Sequence, residues 1–159
     1  METTITGSLH FVESRIEITK KGTSYETYNS SGSLIHILDT HHVRSGILIH
    51  TLFNNMERED FDEILSGQIT EAFQKYGCYM LLTDISNLGA HCVNEFDNCM
   101  CHKVIPELRK YGLQSAALVL PSEMFNRLKI REWDKVVGGC YTRSFSDFFT
   151  SLMWLKLKD

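Results

Sequence analysis

The chain has 159 residues, 43% of them hydrophobic, 23% charged and 11% aromatic, with only two prolines and a formal net charge of −4. That length suits one domain burying roughly 70% of the surface its unfolded form exposes, and so few prolines argue against long disordered linkers. With 16 basic against 20 acidic side chains, and its densest charge cluster (Glu57 to Glu63) acidic, the chain lacks the basic excess that grips nucleic acid or an anionic membrane.

Residues Met1 to Ser8 are polar, with no apolar signal-peptide core, and no apolar run approaches the roughly 20 residues that cross a bilayer. A cytoplasmic chain without a membrane span is expected. Ile16-Glu17-Ile18 alternates with period two inside Leu9 to Thr19, and Lys20-Lys21-Gly22 reads as a turn. Thr23 to Tyr28 alternates weakly, and Asn29-Ser30-Ser31-Gly32 is a second turn before Leu34 to Leu38. Residues 1–45 are therefore expected to form antiparallel β-hairpin strands.

From Gly46 the pattern changes. Ile47 to Phe53 reads as a short apolar strand ended by Asn54-Asn55. A helix follows from Glu57 to Tyr76, with Phe61, Ile64, Leu65, Ile69, Ala72, Phe73 and Tyr76 on one face. Glu57, Glu59 and Asp60 suit its positive end, and Lys75 and Gly77 suit its close. Cys78 to Ile85 reads as a strand buried on both faces. A second helix spans Val93 to Tyr111, where Pro106 predicts a kink or two abutting helices. Gln114 to Leu120 is the next strand, and Ser122 caps a short helix carrying Met124, Phe125 and Leu128. Trp133 to Gly139 reads as a turn or frayed helix and Cys140 to Phe145 as a weak strand. Ser146 caps a last helix with Phe148, Phe149, Leu152 and Leu155 inward and Trp154 over the sheet edge.

Residues 46–157 thus read βαβαβαβα, the order of parallel strands joined by helical crossovers. The expected fold is one α/β domain over residues 1–159. Its sheet is mixed and mostly parallel, extended by the N-terminal hairpins, with about four helices.

The stretch Tyr79-Met80-Leu81-Leu82-Thr83-Asp84-Ile85-Ser86, a hydrophobic strand ending in Asp-Ile-Ser, resembles a core strand of the STAS-like domains. These include sulfate-transporter tails, bacterial anti-sigma-factor antagonists and uncharacterised bacterial relatives. Ala116 to Leu120 is similar to the family's next core strand, and Arg143-Ser144-Phe145 with Leu152-Met153-Trp154-Leu155 to its closing strand and helix. The resemblance covers residues 46–157 and implies an α/β domain for recognition rather than catalysis. In signalling members a serine of an Asp-Ser-Ser-Gly-like motif after this strand is phosphorylated. Here Ser86 is followed by Asn87-Leu88-Gly89-Ala90-His91-Cys92, which departs from that motif.

Ligands of open α/β sheets gather outside the carboxyl ends of the parallel strands. That rule selects Asn54, Asn55, Asp84, Ser86, Asn87 and Ser122 as candidate ligand- or partner-binding residues; the same residue types also serve as ordinary loop and cap formers. His91-Cys92 with Cys99, Cys101 and His102 could offer thiolates and imidazoles to zinc or to nucleophilic chemistry. The spacing is poor, since Cys99 and Cys101 project about 200° apart on a helix. His36, His41, His42 and His50 fall in and around the strands and could sense pH or bind metal, with His41-His42 better placed in an exposed turn. Five cysteines in a chain without an export signal read as free thiols. No Walker A, G-x-G-x-x-G, G-x-S-x-G or H-E-x-x-H motif occurs.

The expectation is a non-enzymatic STAS-like regulatory domain of a bacterial cytoplasm, with no metal or cofactor, that binds a protein partner or itself. The alternatives are a carrier or sensor of a small apolar ligand, and an enzyme using the Asp84–Ser86 region. An exposed apolar patch would favour the first, an enclosed pocket the second, and convergent titratable groups the third.

Overall fold

Thr-, Tyr- and Ile-rich segments at the N-terminus and Leu/Ile runs after Gly46 all have the β-branched or apolar character that suits a pleated surface. In the computed structural model, which describes residues 3–6, 16–121, 136–137 and 140–158, they join one sheet. Its strands are β1 (Thr3–Thr6), β2 (Ile16–Lys21), β3 (Ser24–Asn29), β4 (Leu34–Asp39), β5 (Ile47–Phe53), β6 (Met80–Asn87), β7 (Ser115–Val119), β8 (Val136–Val137) and β9 (Cys140–Phe145). The spatial order is β1-β2-β3-β4-β5-β6-β7-β9-β8.

β1 to β5 form an antiparallel run, as expected of the hairpins. β5, β6, β7 and β9 are mutually parallel, and β8 returns antiparallel on β9. Five of the eight pairings are therefore antiparallel. The sheet is mixed but mostly antiparallel, which corrects the expectation of a mostly parallel one. Tight turns yield a strand pairing every few residues, whereas each parallel pairing consumes a long crossover. β1 was hidden in a segment that reads as merely polar, and β8 in one that reads as a turn or frayed helix.

Three helices are described. The first, α1 (58–76), begins at Glu57, whose side chain and that of Asp60 form a reciprocal capping box, and ends on left-handed Gly77. The second, α2 (90–110), starts three residues earlier than its apolar stripe suggests. The third is α3 (Phe148–Lys158). A 3-10 turn at Val43–Ser45 leads into β5. The helix expected after Ser122 lies outside the described residues.

Both long helices change winding midway. Asp62–Ile69 of α1 and Met100–Val104 of α2 are π-helical, with α-helical turns on either side. In α2 the wider winding ends just before Pro106, so the proline enters at the first turn of the next α segment, where its missing N–H costs least. The expected discontinuity is thus a change of winding.

The core has two layers. On one face Leu48, Leu52, Leu81, Ile85, Ala116 and Leu118 meet Ile64, Leu65 and Phe73 of α1 and Phe96, Met100 and Leu108 of α2. On the other, Ile47, Ile49, Met80, Leu82, Ala117, Val119 and Phe145 lie under Leu152 and Leu155 of α3. β5, β6 and β7 are buried on both sides, which explains their near-continuous apolar runs.

Candidate functional site

The carboxyl ends of β5 and β6 bring several candidate residues together. The register sets Thr51 beside Asp84 and Phe53 beside Asn87, so Asn54 follows β5 at the level where β6 ends. A Cβ at Gly89 would overlap Asn54 Oδ1 and the His91 ring, so this glycine lets both side chains lie over the start of α2. Half-buried Asp84 turns inward on its own loop: its Oδ1 accepts the Ser86 N–H at 2.9 Å. Asn54, Asn55, Ser86 and Asn87 are exposed. The result is a polar rim whose carboxylate already shapes the strand end. Ser122 lies outside the described residues.

The thiols are scattered, and the four buried ones are held protonated. All five cysteines are free, and Cys78, Cys92, Cys99 and Cys140 are buried. Burial pushes the Cys78 and Cys140 thiols up to about 11 and raises those of Cys92 and Cys99, the latter pair also facing acidic neighbours. Such groups are poor nucleophiles and poor metal ligands at neutral pH. Cys92 Sγ lies 3.8 Å from the Met56 carbonyl, and Cys101 Sγ 3.5 Å from Asp97 Oδ1, so they serve separate local contacts.

A buried polar chain crosses the sheet beneath α1. His36 on β4, His50 on β5 and Thr83 on β6 are each fully buried. His36 Nε2 lies 3.0 Å from His50 Nδ1, and His50 Nε2 lies 2.7 Å from Thr83 Oγ1. Three adjacent strands thus share one line of hydrogen bonds inside an otherwise apolar layer. Desolvation holds His36 down to about 3, and desolvation with the neighbouring His36 holds His50 well below the usual imidazole range, so both rings are neutral. Thr27, the cross-strand partner of His36, donates a long 3.4 Å hydrogen bond to Gln68 Oε1 in the π-helical part of α1. The structure therefore divides the group His36, His41, His42 and His50. His36 and His50 are internal, whereas His41 and His42 stack edge to face at 4.9 Å in the turn before β5.

The sequence did carry a trace of this chain. His50 takes the place of an apolar residue between Leu48 and Leu52, which share its face of β5. Its partners were not readable, because they depend on register across three strands.

The remaining feature is on the surface. α3 begins with Asp147, whose carboxylate accepts the Thr150 N–H at 2.9 Å and its hydroxyl at 2.7 Å. Asp147 is thus the cap expected of Ser146. Leu152 and Leu155 face the sheet as expected, but Phe149 is 70% exposed, which corrects its inward assignment. With Met153 at 42% and Leu157 at 80%, it forms an outward stripe spaced i, i+4, i+8. Phe148 and Tyr141 are also exposed. Trp154 is held by Phe145, their rings 5.6 Å apart. No described helix is long and apolar enough to cross a membrane.

No protein-family model matches the chain, no curated protein is similar to it, and no solved structure matches it.

Proposed function

We propose that the chain is a non-enzymatic regulatory domain of the STAS-like kind that pairs with a second copy of itself through the outer face of α3. The observation that carries this reading is the exposed Phe149, Met153 and Leu157 stripe. These three side chains present apolar surface of about 350 Å² along one helix face, within the range of the largest patch on a monomer.

The stripe is self-complementary. Residues spaced by four form the ridge that packs into the equivalent groove of an identical helix, and a two-fold axis satisfies both copies at once. An antiparallel arrangement brings exposed Asp147 at the start of one α3 toward exposed Lys156 near the end of the other, and opposes the helix dipoles. Two such stripes bury about 700 Å² in total, below the standard size of specific interfaces, so the dimer is weak and concentration-dependent. The polar rim of Asn54, Asp84, Ser86 and Asn87 lies at the carboxyl ends of β5 and β6 and stays available to a further partner. A cytoplasmic setting fits five free thiols.

Sedimentation velocity over a range of concentrations tests the proposal. Wild-type protein is expected to move from monomer to dimer, and Leu157→Glu to remain monomeric with its circular dichroism unchanged. A wild-type protein that stays monomeric throughout, or a dimer indifferent to Leu157→Glu, would rule out this surface.

A further inference from the structure

The hydrogen-bond chain under α1 is incomplete at one end. His50 uses both ring nitrogens, but His36 Nδ1 is buried and has no partner among the described residues, and Gln68 Nε2 is in the same condition. Both flank Thr27. His36 is its cross-strand neighbour on the helix-facing side, and Gln68 reaches it from α1. Directly paired cross-strand residues hold their Cβ atoms about 5 Å apart, so both side chains with orphaned nitrogens are immediate neighbours of Thr27. Buried polar atoms with no protein partner cost too much to leave dry, and a site with two to four such groups is what an internal water requires.

We propose that His36 Nδ1, Gln68 Nε2 and Thr27 Oγ1 bind a single internal water that completes a one-directional hydrogen-bond chain from α1 to β6. The donors and acceptors assign its order. Thr27 Oγ1–H donates to Gln68 Oε1, so the Gln68 amide presents N–H to the water, which accepts. The water's two protons go to Thr27 Oγ1 and His36 Nδ1. His36 therefore carries its proton on Nε2 and donates to His50 Nδ1; His50 likewise carries its proton on Nε2 and donates to Thr83 Oγ1. In the reversed order the water would accept from both Gln68 and His36 and keep only Thr27 Oγ1 for its two protons, so this order alone places every proton among the named groups. Gln68 sits in the π-helical stretch of α1, where the wider winding displaces side chains from the α-helical register. The water thus bonds helix to sheet where direct side-chain contact is long.

Two measurements on the unmodified protein test this. Nitrogen-15 NMR of the histidine rings at neutral pH is expected to show both His36 and His50 protonated on Nε2. Water-to-protein NOE spectroscopy is expected to give cross-peaks from a long-lived water to the Gln68 amide protons and the Thr27 side chain. In Gln68→Met those water cross-peaks should vanish while the His36–His50 bond persists. A proton on His36 Nδ1, or an absence of water cross-peaks in the wild type, would overturn the assignment, whether or not the Gln68→Met protein folds.

Discussion

A neutral imidazole sealed inside a sheet makes the protein sensitive to acid. The sign follows from the direction of the shifts. His36 and His50 are held below their unfolded value of 6.5, mainly by burial. Above that value neither state binds the proton and folding is unaffected. Below it the unfolded chain binds protons that the native state refuses, so stability falls as pH falls. For His36, whose folded value is near 3, the loss reaches about 2 kcal/mol by about pH 5; His50 adds to it in the same direction. Urea unfolding between neutral pH and about pH 5 should show this slope. In His36→Leu it should be shallower by about 1.4 kcal/mol per pH unit. An unchanged slope would mean that His36 is not buried neutral.

The same chain predicts an asymmetry at Thr83. Thr83→Val keeps the shape but leaves His50 Nε2 without its 2.7 Å partner in a fully buried position. The expected cost is about 1–3 kcal/mol. Thr83→Ser, which keeps the hydroxyl, should recover most of it, with the urea midpoint as readout. A Val variant as stable as the Ser variant would show that packing, not hydrogen bonding, matters there.

Individual elements were largely legible because their signals are local. β5 and β9 were read with the bounds they have, and α1 within one residue, since helical periodicity, an acidic first turn and Gly77 all agree. The π-helical stretches were not legible, because a local widening leaves the apolar stripe nearly intact. Two glycines then separate what looks alike in sequence. Gly46 has φ 79°, its carbonyl accepts the N–H groups of Tyr79 and Met80 at 2.9 Å, and a Cβ there would overlap the Tyr79 ring. Gly67, inside α1, has nothing within 4 Å of such a Cβ and no left-handed backbone. Gly46→Ala should therefore destabilise by at least about 1–2 kcal/mol, and Gly67→Ala should stabilise by about 0.5–1 kcal/mol. Thermal melts of the two variants check both signs, and a destabilised Gly67→Ala would indicate that the π-helical winding itself requires glycine.

At the scale of the whole molecule, one asymmetry governs what the fold can do. Two long helices cover one face of the sheet, while among the described residues the other is covered by α3 alone, lying over β6, β7 and β9. Strand alternation could not reveal this. Which strand neighbours which, and which helix returns to which face, depends on pairings that short apolar runs share equally, and so the balance of antiparallel pairings and the outward turn of Phe149 were both missed. A helix that is apolar on both sides has one side to spend on its own sheet and one to spend elsewhere. If the outer side packs against a second copy, association and folding are linked, because the dimer forms only from folded chains. The melting temperature of the wild type should then rise with protein concentration over about a hundredfold range. Leu157→Glu should melt at one temperature throughout, and, since Leu157 is 80% exposed, that temperature should match the wild type at its most dilute. A concentration-independent wild type would leave α3's outer face without a role in self-association. A Leu157→Glu variant that melts well below the dilute wild type would instead show that this side chain supports the monomer.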